Sequence, residues 1–319
     1  MTLSGTILVS GAAGFLASHV CEALTRRGVR VVGLDNFDPF YPRADKERNL
    51  REARAAGGFE VVECDLCDEH AVRALVDRVR PDGVIHLAAK AGVRPSITDP
   101  VGFVRANVLG TQVLLDAARA GGCGRVVMAS SSSVYGNAKV VPFSEDAVVD
   151  SPISPYAASK RACELIAFTH HALTKMPIAC LRFFTVYGPR QRPDLAVSLF
   201  LRKVAAGDPI EMFGDGTTSR DYTYCDDIVA GVLAAYERID AHGQRVWNLG
   251  NSSPVSLADM IATIGRVVGR EPKVVRKPMQ QGDVDRTYAD ISRASAELNY
   301  RPGVAFEEGV RRQWAWAQS

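Results

Sequence analysis

Short apolar runs alternate with longer stretches of mixed character through the first half of the chain. The runs predict β-strands, because strands buried on both faces of a parallel sheet read as continuous hydrophobic segments. The longer stretches carry apolar residues at helical spacing and predict helices that cross over between strands. The predicted strands are Thr6–Ser10, Val29–Leu34, Phe59–Glu63, Gly83–Leu87, Arg125–Ala129 and Ile178–Phe184, and the predicted helices are Phe15–Arg27, Glu69–Val79 and Val101–Ala120.

This alternation predicts an α/β fold with a Rossmann-type doubly wound parallel sheet over residues 1–183. The pattern loosens afterwards, where Gly188–Pro193 and Gly214–Ser219 predict loops. We expect residues 184–319 to form a smaller α/β substrate-binding domain. A strand near residues 245–250 is expected to rejoin the first sheet, and Leu257–Val268 to form an amphipathic helix. Without a flexible linker, the two domains should share a cleft.

Composition excludes several classes of protein. The 319 residues are 47% hydrophobic and 23% charged with a net charge of +2, so we expect neither a nucleic-acid nor an anionic-membrane partner. The chain shows no apolar run of about 18 residues and no signal peptide. Its seven scattered cysteines indicate reduced thiols and a cytoplasmic location.

A glycine-rich turn follows the first predicted strand. It reads Gly11-Ala-Ala-Gly14-Phe15-Leu16-Ala17 and leads into a helix. Glycines permit a tight turn and let backbone N–H groups approach a pyrophosphate at the positive end of the helix. The spacing is one residue longer than the usual dinucleotide fingerprint, so a plain strand-to-helix turn is the alternative.

The ends of the next strands favour the dinucleotide. Asp35 ends the second strand, where a carboxylate can accept both ribose hydroxyls and would repel a 2′-phosphate. NAD is therefore expected rather than NADP, although Arg30 and Arg43 could soften that preference. Asp65-Leu66 and Leu87–Ala89 close the third and fourth strands beside the expected cofactor path.

Two other patterns have simpler explanations. Cys64 and Cys67 form a CxxC sequence, but it overlaps the strand end expected to face adenine, so we do not expect redox chemistry. His170 and His171 show no metal-ligand spacing with other residues, and no metal site is expected.

Tyr156-Ala-Ala-Ser-Lys160 supplies the candidate catalytic chemistry. Ser154-Pro155 predicts a helix start, and residues at i and i+4 share one helical face. A nearby cation favours the phenolate form, which makes a tyrosine a usable base near neutrality. Upstream, Ser130–Ser133 lie where the fifth strand ends, the edge at which ligands bind in such sheets.

These motifs together resemble the extended short-chain dehydrogenase/reductases, the NAD-dependent nucleotide-sugar epimerases and dehydratases. The resemblance extends over nearly the whole chain and is strongest to the UDP-glucuronate 4-epimerases. It rests on the glycine-rich turn, Tyr156 with Lys160, and five further segments, His86–Ala89, Ala89–Arg94, Ser132–Gly136, Phe184–Asp194 and Ser219–Tyr224. Met279–Val284 is also similar to the epimerase group.

The resemblance implies transient oxidation at carbon 4 of a UDP-sugar, rotation of the 4-keto sugar, and hydride return. Tyr156 would be the base, Lys160 would support it and hold the nicotinamide ribose, and Ser131 would bind the 4-oxygen. The implied cofactor contacts are Gly11, Gly14, Phe15, Leu16, Asp35, Asn36, Asp65, Leu66, Leu87, Ala88, Ala89, Lys90, Asn107, Tyr156, Lys160 and Phe184. The implied substrate contacts are Arg94, Ser132, Ser133, Thr185, Arg192, Glu211, Met212, Phe213, Arg220 and Asp283.

Two sequence features separate related activities. Dehydratases of the family carry an acid and a base before Val-Tyr-Gly, and decarboxylating relatives usually have Glu where this chain has Ser133. Arg192 resembles the arginine near the sugar acid, and its planar fork suits a carboxylate. Gln280 replaces an arginine that many relatives use. We therefore expect interconversion of UDP-glucuronate and UDP-galacturonate without decarboxylation.

The sequence leaves other activities open. A 4-epimerase of UDP-glucose or UDP-N-acetylglucosamine would use the same chemistry, and a UDP-glucuronate decarboxylase is a further alternative. A dinucleotide-binding sensor without turnover would typically lack Tyr156 or Lys160. The resemblance also implies a homodimer that pairs helices near Val101–Ala120 and Tyr156–His170.

Overall fold

The computed structural model describes residues 4–278 and 286–319. Their strands, in chain order, are β1 Thr6–Ser10, β2 Arg30–Asp35, β3 Phe59–Glu63, β4 Gly83–His86, β5 Val126–Ser131, β6 Ile178–Phe183, β7 Thr185–Tyr187, β8 Ile210–Phe213, β9 Ser219–Tyr224, β10 Gln244–Leu249, β11 Pro254–Ser256, β12 Val274–Lys277 and β13 Arg286–Thr287.

The helices lie mostly between these strands. They are α1 Phe15–Thr25, α2 Arg43–Asn49, α3 Arg51–Ala56, α4 Glu69–Val79, α5 Val93–Thr98, α6 Pro100–Phe103, α7 Gly110–Ala120, α8 Pro155–Thr174, α9 Ala196–Ala206, α10 Cys225–Arg238, α11 Leu257–Val268, α12 Ser292–Leu298 and α13 Phe306–Gln318. A π-helical segment covers Val104–Leu109, and 3₁₀ turns cover Ser132–Tyr135 and Ile239–Ala241.

Seven parallel strands form the central sheet in the order β10-β6-β5-β4-β1-β2-β3. Helices α1 and α10 pack on one face, and α4, α7 and α8 pack on the other. The predicted Rossmann-type fold is confirmed. Because strand order reverses between β1 and β4, their carboxyl ends open the crevice in which such sheets bind ligands.

A second lobe is built from short strands and three helices. β9 pairs with β7, β11 and β13, and β8 pairs with β12. Helices α9, α11 and α13 cover these strands around a core that includes Tyr187, Phe200 and Met260.

The chain returns to the first lobe more than once after β6. Strand β10 pairs with β6, and α10 and α12 pack in the hydrophobic core beside the central sheet. We propose that the boundary between the lobes lies near residue 184 and that α10, β10 and α12 belong with the first lobe.

The sequence pattern predicts one helix over Val101–Ala120, whereas the structure has α6, the π-helical segment and α7 there. The wider turn contains the buried Asn107, which hydrogen-bonds both the N–H and the carbonyl of Lys90, at 2.8 and 3.0 Å. Single π turns inside helices are frequent at functional sites. Within residues 4–278 and 286–319, no helix has the length and apolar character needed to cross a membrane.

Candidate active site

A cavity of about 940 Å³ opens at the carboxyl ends of the central strands and continues toward the second lobe. Most of the predicted cofactor contacts lie on its walls. They are Gly11, Gly14, Phe15, Leu16, Asp35, Asn36, Asp65, Leu66, Leu87, Ala88, Ala89, Lys90, Tyr156, Lys160 and Phe184. Asn107 lies behind them and positions the Lys90 backbone.

The glycine-rich turn packs closely against the backbone that follows β4. Gly11 has φ +72°, and a Cβ there would lie 2.8 Å from both the backbone N and Cα of Ala88. Gly14 caps helix α1 without any side-chain hydrogen bond. The first N–H groups of α1 therefore face the cavity edge as donors, which fits the pyrophosphate of a dinucleotide.

Asp35 is buried where the adenosine ribose is expected. Its Oδ2 accepts from Ala13 N at 3.0 Å, and its Oδ1 accepts from Phe37 N at 2.7 Å. Each carboxylate oxygen has further acceptor capacity for ribose hydroxyls. Lys46 Nζ lies 3.8 Å from Asp35 Oδ1 and is equally buried. Arg43, named above as a residue that could soften the NAD preference, pairs with Glu63.

The end of the cavity where adenine is expected carries the CxxC residues. Cys64 and Cys67 line it together with Asp65 and Arg105. A hydrogen bond from Cys67 N holds the pKa of Asp65 below its usual value. Burial, together with nearby carboxylates, raises the pKa of both thiols. The thiol form is therefore favoured, which disfavours nucleophilic chemistry.

Helix α8 carries the candidate base. Ser154 caps it by accepting a hydrogen bond from Ala157 N at 3.1 Å, and Pro155 occupies the first turn. Tyr156 packs edge-on against Phe103 with ring centroids 6.1 Å apart. Lys160 is buried and donates to Ala129 O at 2.9 Å. Tyr156, Lys160 and Ser131 thus line one cavity, from α8 and the end of β5.

The predicted substrate contacts divide into two groups. Ser131, Thr185, Arg192 and Arg220 line the cavity. Among the described residues, six others lie outside its walls, namely Arg94, Ser132, Ser133, Glu211, Met212 and Phe213. The structure brings two of these together, because the Arg94 guanidinium lies 5.8 Å from the Phe213 ring centroid. Gln280 and Asp283 lie outside the described residues.

Arg192 is held by its own loop. Its Nε and Nη2 donate to Asp194 at 3.0 and 2.8 Å, and Nη1 donates to Ala91 O at 3.1 Å. The guanidinium carbon also lies 5.0 Å from the Phe40 ring centroid. A guanidinium has five N–H donors, so two remain for a ligand.

Sequence reasoning missed several residues around this cavity. Lys46, Phe40 and Tyr41 line it from the segment after β2. Behind it, Glu164 and Arg182 form a buried ion pair. One usable signal was Arg182, the single charged residue in the apolar strand Ile178–Phe183.

One family model matches most of the chain. Residues 7–250 match the NAD dependent epimerase/dehydratase family. The chain belongs to that family. Because the family is NAD-dependent, NAD is the cofactor of this epimerase/dehydratase-family chain, in accord with the glycine turn and Asp35.

Known members of the family resemble this chain along its length. A UDP-glucuronate 4-epimerase of Thermodesulfobacterium geofontis is 38% identical over 315 residues, which are 98% of this chain and 96% of the relative. The crystal structure of a Bacillus cereus UDP-glucuronic acid 4-epimerase, in complex with UDP-glucuronic acid and NAD, is 35% identical. It has a TM-score of 0.91 and covers 98% of this chain and 99% of its own.

A second sugar specificity is also represented among similar structures. A Thermotoga maritima UDP-glucose 4-epimerase with UDP-glucose has a TM-score of 0.90 at 30% identity, with 98% of each chain covered. The epimerase/dehydratase fold therefore accommodates both an acidic and a neutral sugar in proteins similar to this one.

Proposed function

We propose that the protein is a UDP-glucuronate 4-epimerase, which interconverts UDP-glucuronate and UDP-galacturonate without decarboxylation. The observation that carries the proposal is one cavity lined by Tyr156, Lys160, Ser131 and Arg192. The UDP-glucuronate 4-epimerases among its relatives support the choice of an acidic sugar.

In this proposal the chain's own residues move one proton and hold the sugar. Tyr156 as phenolate takes the proton of the 4-hydroxyl and later returns it, and Ser131 hydrogen-bonds the same oxygen. Lys160, fixed by Ala129 O, supplies the positive charge that favours the phenolate. When bound, NAD supplies the redox chemistry at carbon 4. Asp35, Lys46 and the glycine turn would hold its adenosine and pyrophosphate groups.

Avoiding decarboxylation requires control of the sugar carboxylate. A 4-keto glucuronate is a β-keto acid, which loses carbon dioxide when the carboxylate stands perpendicular to the carbonyl plane. Positions 131–133 are serines and offer hydrogen bonds without an acid or base. Thr185 and the two remaining donors of Arg192 would hold the carboxylate away from that orientation.

The second candidate is a UDP-glucose 4-epimerase. The similarity to the Thermotoga structure favours it, because that protein binds UDP-glucose on the same fold. Arg192 discriminates between the candidates, since a neutral hydroxymethyl group gives the guanidinium no charge to bind.

The deciding experiment is incubation of the purified protein with UDP-glucuronate and no added NAD, followed by chromatography and mass spectrometry. We expect an isomer of unchanged mass, and none from Tyr156→Phe. A product lighter by one carbon dioxide would make the protein a decarboxylase. Turnover of UDP-glucose alone would establish the second candidate.

We also propose a cytoplasmic homodimer. Helices α5 and α8 and the segment around α6 expose apolar side chains on one side of the first lobe, among them Ile97, Val101, Val104, Leu165, Phe168 and Leu173. A second copy of the chain would cover them by pairing the same helices. Sedimentation should give twice the chain mass for the wild type and a monomer for Phe168→Glu.

A further inference from the structure

A buried carboxylate lies on the helix of the candidate base, away from the cavity. Glu164 is 2% exposed and stands one helical turn after Lys160 and two turns after Tyr156. Its two oxygens accept four hydrogen bonds, from Arg182 Nε at 2.8 Å, Arg182 Nη2 at 2.9 Å, Ser130 Oγ at 2.6 Å and Arg161 Nη1 at 3.0 Å. The carboxylate therefore ties α8 to the ends of β5 and β6.

Arg182 extends the connection across the sheet. Its Nη1 donates to the Tyr135 hydroxyl at 3.0 Å, and that hydroxyl donates to Asn248 Oδ1 at 2.7 Å. Ser130, Arg182 and Asn248 are register partners on β5, β6 and β10. One row of the sheet thus supplies three members of a single buried network.

The network adjoins the candidate catalytic groups from behind. Ser131 follows Ser130 directly and lines the cavity. Tyr135 ends the 3₁₀ turn that contains Ser132 and Ser133. The buried network therefore contacts all three segments that carry the candidate catalytic groups, namely α8, the end of β5 and the 3₁₀ turn.

Stability alone is a poor explanation for such a pair. Replacing a buried ion pair with well-packed apolar residues is often neutral or stabilising, because desolvating two charges is costly. Burial would raise the pKa of Glu164, but the hydrogen bonds and charge of Arg182 hold it below its usual value. The pair is therefore ionic at neutral pH.

The charge of Glu164 matters because Lys160 is near. Four residues of helix correspond to about 6 Å of rise on the same face. An uncompensated carboxylate there would offset the positive charge that favours the Tyr156 phenolate. Arg182 pairs with both of its oxygens, and Arg161 with one of them. Other titratable groups near these residues come from the packed elements, namely His86, Tyr135 and Cys180, and Arg161 and Cys163 come from α8 itself.

We propose, on the basis of the proposed function, that Glu164 and Arg182 are positioning residues for the epimerisation. Their ion pair fixes Tyr156 and Lys160 against the strand end that carries Ser131. It also prevents Glu164 from offsetting the charge of Lys160. Neither residue lines the cavity.

The test compares Glu164→Gln, Arg182→Gln and the double variant in the holoenzyme. Glu164→Gln leaves Arg182 uncompensated, so the acid limb of the kcat profile should move to lower pH. Arg182→Gln removes the buried cation and leaves the partly exposed Arg161 to pair with the carboxylate, so the limb should move to higher pH. Tyr156 and Glu164 are separated by about 12 Å of helix rise. Each single variant should therefore shift the limb by an amount on the order of half a pH unit. The double variant should return the limb to its wild-type position.

A matched control breaks another arginine–carboxylate pair away from the cavity. Glu297 on α12 accepts from Arg245 and from Trp247 Nε1. Glu297→Gln should leave the acid limb unchanged. Circular dichroism and thermal melting establish that each variant is folded.

Direct titration of tyrosinate absorbance, with Tyr156→Phe as the reference, separates this inference from the proposed function. Opposite shifts of the Tyr156 titration in the two single variants support the positioning role whatever the sugar is. If both single variants are folded but show the wild-type acid limb and the wild-type tyrosinate titration, the positioning role is wrong. That result would leave the proposed function standing, provided that Tyr156→Phe is inactive. Full turnover by Tyr156→Phe would remove the proposed function and this inference together.

Discussion

The two lobes hold their charged candidate residues differently. In the first lobe, Asp35 and Lys160 are buried and already hydrogen-bonded to backbone groups. In the second lobe, Arg220 is half-buried and donates to the carbonyl of neighbouring Ser219, and Phe213 faces the exposed Arg94 of the first lobe. Folding therefore fixes the charged side chains on the cofactor side in position. On the sugar-nucleotide side, the arginine N–H donors stay available for a ligand. Substitutions should affect turnover and stability in the first lobe and affinity in the second.

The largest effect should come from the base. Tyr156→Phe removes the phenol from the first-lobe site and should lower kcat about 1,000-fold, because proton transfer no longer has its acceptor. Steady-state assays with UDP-glucuronate measure the loss, and released cofactor measured after denaturation shows whether NAD binding persists. Unchanged kcat would contradict the assignment of Tyr156.

Stability of the first lobe should depend on pH through a buried histidine. Burial, reinforced by the charge of Lys160, lowers the pKa of His86 to about 3. The unfolded chain takes up a proton near pH 6.5 and the folded chain does not, so the free energy of unfolding should fall as the pH drops. Between pH 6.5 and 4.5 this one group contributes a loss of about 2–3 kcal/mol.

Urea unfolding at several pH values tests this dependence. His86→Asn should give a flatter pH dependence than the wild type over that range. The exposed His70 provides the matched control, and His70→Asn should keep the wild-type slope. Equal slopes in all three proteins would show that His86 is not the group responsible.

An intermediate effect is expected where the lobes meet. Arg192→Ala should reduce kcat/KM for UDP-glucuronate about 30-fold, in line with loss of a charged hydrogen-bond pair, and should leave a neutral sugar nearly unaffected. Arg192→Lys keeps the charge without the planar fork and should recover only part of the loss. Equal losses on UDP-glucuronate and UDP-glucose would contradict the carboxylate assignment.

The smallest effect should appear in the second lobe. Arg220→Gln removes a guanidinium of the expected UDP-sugar site, so KM for the UDP-sugar should rise about tenfold while kcat stays within twofold of the wild type. A fall in kcat with unchanged KM would contradict the expectation that substitutions in the second lobe affect affinity rather than turnover. Unfolding free energy should remain unchanged, because Arg220 is only half-buried.

Local patterns were enough to predict the first lobe. Strands Thr6–Ser10 and Phe59–Glu63 and helix Glu69–Val79 have the predicted bounds, because their apolar spacing and flanking residues agree. The placement of Gly11 and Asp35 at the cavity was predictable for a similar reason, since each directly follows or ends a strand of the sheet. A residue at the carboxyl end of a parallel strand lies at the edge of the sheet where ligands bind, so its place in the sequence predicts its place in the structure.

Other parts of the site depend on contacts between distant segments. Glu164 meets Arg182 across 18 residues, and nothing in a helical repeat shows which strand residue will face it. Lys46 approaches Asp35 through a loop whose path the sequence leaves open. The π-helical turn at Asn107 follows from hydrogen bonds to Lys90, so apolar periodicity alone predicted an unbroken helix.

The late position of strand β10 in the chain has a consequence for protein synthesis. Until residues 244–249 leave the ribosome, β6 is the unpaired edge of the sheet, and Tyr135 lacks its partner Asn248. An open edge strand is a template for pairing with another chain. A fragment that stops at residue 183 should therefore aggregate during expression, whereas one that includes residue 249 closes the edge. Expression of the cofactor-binding lobe by itself thus requires an internal splice that retains β10, rather than a simple truncation.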